Sequence, residues 1–260
     1  MEFPTSIILQ WIATYFWPYV RISVMLMVLT AFGAKFVSSR IRLYWGLART
    51  IAIMPAVPAV PNDIEIFSLQ GVLITTQQIV IGISIGIITQ FVTQTFILVG
   101  QIIGMQSSLG FASMADPVNG QSSPVLGQLF MFLVTLFFLA IDGHLHLIQL
   151  VAYSFKSIPI GQVSFNTEDF KDIALWFGLM FKTALSISLS SIIALLTVNL
   201  SFGVMTRAAP QINIFSLGFA FALLTGLFLC WFLLLDLFRH YDAYWQVGEA
   251  QICKLIKIDC

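Results

Sequence analysis

An all-α, polytopic membrane fold is what this sequence predicts, and three observations carry the prediction. Hydrophobic residues make up 58% of the 260-residue chain and charged residues only 9%, with a mean hydropathy of +0.94, far from the balance of a water-soluble domain. The charged side chains punctuate about six apolar segments rather than scattering evenly. Small and hydroxyl residues recur at intervals of three and four within the longest segments, which is the spacing of one helix face. The expectation is a single membrane domain over residues 1–260, built of hydrophobic helical hairpins.

The segments run from Ser6 to Ala34, Leu43 to Pro61, Ile66 to Leu109, Pro124 to Leu150, Ile173 to Ser201 and Ile212 to Leu237. The first follows a Met-Glu-Phe-Pro opening with no basic region and no small-residue cleavage pattern, so it reads as a retained span and not as a signal peptide. In the second, Pro55, Pro58 and Pro61 remove amide donors and restrict the residues before them, which ends a helix after about Met54 and leaves a half-span or irregular connector. The third is too long for one ordinary crossing. Residues 66–115 carry no charge, and 40 helical residues extend about 60 Å, twice the hydrocarbon thickness. Either it folds back near Gly82 to Gly86, or it is one long helix covered by partner proteins, in which case the chain is not stable alone.

Between Lys182 and Asp236 the only charged side chain is Arg207. It stands in an Arg-Ala-Ala-Pro turn where one apolar helix ends and another begins, because Pro210 cannot continue the first and can start the second; Gln211 and Asn213 complete the polar turn. The connectors after the first, third and fifth segments hold Lys35, Arg40, Arg42, Arg49 and Arg207 against Asp116. The others hold Asp63, Glu65, Glu168, Asp169 and Asp172 against Lys156 and Lys171. By the positive-inside rule the first set of connectors is cytoplasmic, which puts both chain ends outside.

In the third segment Gly82, Gly86, Gln90, Thr93, Ile97, Gly100 and Gly104 share one face, and two of the intervals are GxxxG. Such a face lets helix backbones approach closely, or lines a polar conduit. The fifth segment repeats the device with Thr183, Ser186, Ser190, Ala194, Thr197 and Ser201, whose hydroxyls can also bond to the carbonyl four residues back. Between the third and fourth segments, residues 109–124 are rich in Gly, Ser, Asn and Pro yet keep Leu109, Phe111, Met114 and Pro117. Irregular backbone with bulky apolar tips fits a plug that closes an aqueous path by dewetting, and equally a surface loop tucked into a helix groove.

Arg21, Asp142, Lys182 and Asp236 lie in or at the edges of apolar segments, where an ionisable residue needs a partner; an acidic partner for Arg21 is expected, with Asp142, Asp236 or another subunit supplying it. His144 and His146 fit surface or hydrogen-bonded histidines, or a metal or proton relay. Cys230, Cys253 and Cys260 are odd in number and show no CxxC spacing, so they read as structural or incidental thiols, with neither a disulfide framework nor a zinc site indicated. There is no nucleophile motif, no phosphate-cradling loop and no HExxH, so neither catalysis nor a cofactor or metal is expected. Twelve Lys plus Arg balance twelve Asp plus Glu, which gives nucleic acid no electrostatic foothold.

Four stretches together closely resemble one family: Gly104-Met-Gln, Leu109-Gly-Phe-Ala-Ser-Met-Ala-Asp-Pro117, Asp142-Gly-His-Leu145 and Gly203-Val-Met-Thr-Arg-Ala-Ala-Pro-Gln-Ile-Asn-Ile-Phe-Ser-Leu-Gly-Phe219. The family is FliR, the R subunits of the flagellar type III export gate, which are related to subunits of virulence injectisomes. The resemblance implies a non-enzymatic protein of the bacterial inner membrane and flagellar basal body. It would function only in a helical multi-subunit assembly, joining P and Q subunits (FliP, FliQ) and the switch protein FlhB in a channel for unfolded flagellar proteins. It further implies a P-subunit-like part over residues 1–172, a plug at residues 109–124 carried by Leu109, Phe111, Met114 and Pro117, and a Q-subunit-like hairpin over residues 173–248 with Arg207 near its cytoplasmic tip. Gly82, Gly86, Gly100, Gly104, Ser186 and Ser190 then become subunit contacts. Family members often carry asparagine where this chain has Asp142. An injectisome gate subunit is the nearest alternative, and a small-molecule secondary transporter, which would want an inverted repeat and charged mid-membrane residues, a more distant one.

Overall fold

A computed structural model of the chain describes residues 5–29, 38–58, 60, 64, 66, 68–110, 125–162, 166–208, 214–258 and 260. Among these residues the structure is all α. Helices α1 (Thr5–Val28), α2 (Ser39–Ile53), α3 (Leu69–Gln106), α4 (Val125–Ala140), α5 (Gly143–Ser157), α6 (Thr167–Ala208) and α7 (Ile214–Leu255) follow one another, with a 3₁₀ turn at Met54–Ala56. The chain divides into two compact units. The first holds residues 1–90, 138–175 and 246–260, and the second residues 91–137 and 176–245.

Helix α2 ends where the proline series requires, with Pro55 opening the 3₁₀ turn and Val57 already extended at φ −82° and ψ 128°. Its 15 residues reach about 22 Å, short of the roughly 30 Å hydrocarbon. Among the described residues four helices are long and apolar enough to cross a membrane, α1, α3, α6 and α7, and α4 with α5 passes only as one broken span.

The long third segment is one uninterrupted helix. Gly82 and Gly86 lie inside α3, so the hairpin alternative falls away. The start of α3 is set by Ser68, whose Oγ accepts the Gly71 N–H at 3.0 Å, the usual N-cap bond to the third helical residue. Its hydroxyls are silenced internally: Thr75, Ser84, Thr89 and Thr95 each donate to the carbonyl four residues back. With 38 residues the helix extends about 57 Å. It is apolar on every side, and half of it is buried within the chain.

The fourth segment is not one helix. Asp142 takes the left-handed conformation at φ 55° and ψ 25°, and its carbonyl accepts the N–H of Leu145 at 2.8 Å and of His146 at 3.1 Å, starting α5 in a new direction. Aspartate and asparagine are the non-glycine residues that visit this region most readily, and that accounts for either residue at this position. The signal was in the sequence as Asp-Gly, a turn pair, but the surrounding hydrophobicity hid it.

Helix α6 starts on one half of a capping box, in which the Asp169 carboxylate accepts the Asn166 N–H at 2.8 Å. Glu168 and Asp169 occupy its first turn and Arg207 its last, the charge order the helix dipole favours. Helices α6 and α7 each hold 42 residues, and only 17% of the membrane-capable stretch of each is buried.

In the first unit α1 and α3 come into backbone contact. A Cβ at Gly82 would sit 2.5 Å from the Arg21 carbonyl oxygen, and one at Gly86 2.8 Å from Val28 Cβ. Gly82→Leu is expected to lower the stability of the detergent-solubilised chain by about 1–3 kcal/mol, since backbone must move to admit the side chain. A melting curve or a protease-resistance assay reads this, and an unchanged midpoint would reject the close contact.

A buried arginine and the candidate gate elements

The most heavily constrained polar group is Arg21. It is fully buried on α1, yet no carboxylate meets it among the described residues. Its Nε donates to Gln78 Oε1 on α3 at 2.7 Å. One terminal nitrogen donates to Ser154 Oγ at 2.9 Å and to the Ser154 carbonyl at 3.0 Å, and the other to the Ile158 carbonyl at 3.1 Å. The guanidinium carbon lies 4.2 Å from the centre of the Phe155 ring. The expected acidic partner is thus corrected. Asp142 and Asp236 are both exposed, and neutral oxygens at the end of α5 take the place of a counter-ion.

Several features follow from the guanidinium being a donor only. Gln78 must turn its oxygen to Arg21, which leaves its buried Nε2 without a partner among the described residues. Ser154 passes its own hydroxyl proton to the Val151 carbonyl at 2.6 Å, freeing both lone pairs for arginine. One turn back along α1, Trp17 Nε1 donates to Thr75 Oγ1 at 3.2 Å, so α1 and α3 are registered twice. The cluster has the chemistry of a structural clamp: all three guanidinium nitrogens donate to oxygens, and the side chain is shut off from solvent.

The residues singled out from the sequence fall into three groups. Gly82 and Gly86 pack against α1 of the same chain, as described above. In the second unit a Cβ at Gly100 would lie 2.8 Å from the Leu126 carbonyl oxygen of α4, and Gly104 is buried with its carbonyl accepting Ser107 Oγ at 3.3 Å. Ser186 and Ser190 are exposed on α6, whose buried face is instead Trp176, Met180, Ala184, Ser188, Ser191 and Leu195. Of the loop residues, Leu109 is half-buried just beyond the end of α3, where Ser108 turns the chain at φ 66°. Phe111, Met114 and Pro117 lie outside the described residues. Arg207 is exposed in the last turn of α6, and Pro210, Gln211 and Asn213 also lie outside them.

The second unit is held by aromatic contacts. Trp176 stacks on Tyr244 at 5.8 Å and 6°, while Phe96 meets Tyr241 at 5.5 Å and Tyr244 at 6.3 Å. Asn199 Nδ2 reaches the Gln106 carbonyl at 3.5 Å. In the first unit His146 Nδ1 lies 3.3 Å from Glu249 Oε1, and His144 meets the Phe138 ring edge-on at 6.4 Å. No three His, Cys, Asp or Glu side chains gather in a metal-binding group among the described residues. The thiol expectation needs revision, because Cys253 and Cys260 are joined as a disulfide while Cys230 is free and buried.

Residues 12–247 match the family described as bacterial export proteins, family 1. The chain belongs to that family. It is 36% identical over 219 residues to the flagellar biosynthetic protein FliR of Escherichia coli K12, covering 84% of this chain and 83% of that one. The FliR of Pectobacterium carotovorum is 35% identical over 218 residues, with the same coverage. The FliR of Aquifex aeolicus is 26% identical over 247 residues, covering 92% of this chain and 94% of its own.

Two substitutions test the geometry. Arg21→Lys keeps the charge but cannot make four bonds in a fork, so a loss of about 3 kcal/mol in resistance to unfolding in detergent is expected. Wild-type stability would mean that the neutral acceptors do not hold the side chain. Asp142→Asn is expected to leave stability unchanged and Asp142→Val to cost about 1–2 kcal/mol, the penalty of the left-handed conformation; equal behaviour of the two variants would refute the backbone argument.

Proposed function

We propose that this chain is the R-type subunit of the flagellar type III protein export gate in the bacterial inner membrane. Together with P and Q subunits it forms the channel through which unfolded flagellar proteins leave the cell, with an FlhB-type switch protein at its cytoplasmic side. The observation that carries the reading is the family match over residues 12–247 together with relatives that are FliR proteins across most of their length. Two features support the assembly. Helices α3, α6 and α7 extend about 57–63 Å, too long for a bilayer alone, and the apolar surfaces of α6 and α7 are mostly uncovered. Apolar helices that project beyond lipid need protein cover, which neighbouring subunits supply.

In this reading residues 1–172 are the P-like part and residues 173–248 the Q-like hairpin, with Arg207, Pro210, Gln211 and Asn213 at its cytoplasmic turn. Exposed Ser186 and Ser190 on α6 are then free to meet a neighbouring subunit, where small hydroxyl side chains permit close packing and hydrogen bonds. Gly82, Gly86 and Gly100 act one step earlier by setting the shape of the chain that the neighbours recognise. Leu109, Phe111, Met114 and Pro117 close the resting pore with apolar side chains that exclude water and ions. No catalytic chemistry is assigned to the chain itself.

In a flagellated host lacking the corresponding gene, complementation is expected to restore hook and flagellin proteins to the culture medium. Secretion that does not depend on the gene would favour an injectisome or small-molecule transport role. Replacing Phe111 and Met114 with serine is expected to raise ion leak through the assembled gate without abolishing assembly; leak at the wild-type level in an intact complex would remove the plug assignment.

A further inference from the structure

Helix α7 ends in a motif that sequence reading passed over. Lys257 takes the left-handed conformation at φ 58°. Its N–H bonds to the Lys254 carbonyl at 3.2 Å, and the Ile258 N–H reaches back to the Cys253 carbonyl at 3.0 Å. These two bonds are those of a Schellman C-cap, a motif that usually places glycine at the left-handed position. Here a lysine stands there, and a β-carbon makes that conformation unfavourable. Ile256 is fully buried beneath the turn, and the same turn leads the chain back so that Cys260 joins Cys253, with Cα atoms 6.1 Å apart, inside the range a disulfide spans. Cys253 is buried at 3% exposure, whereas Cys260 is exposed.

We propose that Cys253 and Cys260 form an intrachain disulfide in the living cell, and that this bond places the far end of α7 on the oxidising, extracytoplasmic side of the membrane. Disulfides persist in the periplasm and on cell surfaces and are reduced in the cytosol, so the bond reports the compartment. The charges close to this end nearly cancel. Lys171, Lys254 and Lys257 stand there with Glu168, Asp169 and Asp172, and Lys254 is paired to Asp172 at 2.6 Å. That ion pair also fixes the start of α6 beside the end of α7, so both belong to one membrane face.

The chemistry is thiol–disulfide exchange with an extracytoplasmic protein disulfide as oxidant. The exposed Cys260 thiolate attacks one sulfur of the oxidant and releases the other as a thiolate, which gives a mixed disulfide. The Cys253 thiolate then attacks the Cys260 sulfur, forming the intrachain bond and releasing the oxidant as a dithiol. Two protons and two electrons leave the cysteine pair and reside on the reduced oxidant. The product locks a lysine-capped helix end, which would otherwise fray, against the buried Ile256.

The inference requires only that the chain sits in a bacterial membrane, and it stands or falls separately from the export role. The test uses cells expressing the full chain, quenched in acid, blocked with N-ethylmaleimide under denaturing conditions, then reduced and treated with a polyethylene-glycol maleimide. The expected result is two adducts that appear only after reduction, and none in the Cys253→Ser or Cys260→Ser chain. A wild-type chain without reduction-dependent adducts overturns the bond, and a reduction-sensitive dimer overturns its intrachain character. For the compartment, Cys260 of the Cys253→Ser chain is expected to react with a membrane-impermeant sulfonated maleimide in intact spheroplasts. Reaction only after lysis overturns the placement.

Discussion

The first unit depends on how a full positive charge is accommodated inside a membrane-length helix. Insertion of arginine at the centre of such a helix costs about 3 kcal/mol on translocon scales, and among the described residues no counter-ion offsets it. Four hydrogen bonds to Gln78, Ser154 and Ile158, with the Phe155 ring beneath, engage all three guanidinium nitrogens. Because those acceptors come from α3 and from the end of α5, the side chain determines how both lie against α1. The same residue also presents its backbone carbonyl to Gly82, where no side chain fits. Side-chain bonds and backbone contact therefore prescribe one register between them, and a shift of one residue would break both.

The two units are stabilised by different means. In the first, polar bonds of defined direction and glycine contacts hold the helices. The second relies chiefly on aromatic surfaces such as the Trp176–Tyr244 stack and the Phe96 cluster. Such packing covers one face of α6 and leaves the other open, with Phe181, Leu185, Leu189, Ile193 and Leu196 each about half exposed or more. The small residues Ser186 and Ser190 lie on the same open face.

Helix existence and approximate length were legible in the sequence because they rest on local physics. The proline series ended α2 at Met54, and the absence of charge from 66 to 115 gave α3 its extent once the fold-back at Gly82 was eliminated. Reading failed where the decisive interaction lay far along the chain or in an unfavoured backbone conformation. Asp142 broke a segment whose hydrophobicity promised continuity, since one left-handed residue redirects a helix whatever the polarity around it. Charge pairing assigned Arg21 an acid because charge is what sequence displays; backbone carbonyls, which every residue has, are invisible in it. Cys253 and Cys260 escaped notice for a related reason, since their spacing joins them only when Lys257 turns left-handed.

By itself, then, the sequence determined the membrane class, the helical content, the near absence of charge between Lys182 and Asp236, and the motifs that resemble one family. All of these are properties of composition or of residues close in the chain, where propensity and hydration act. Tertiary structure alone decided which glycines meet which helices, what satisfies Arg21, where the fourth segment bends and which thiols pair. Those outcomes depend on atoms brought within a few ångströms from distant positions, and such proximity exists only once the helices have packed.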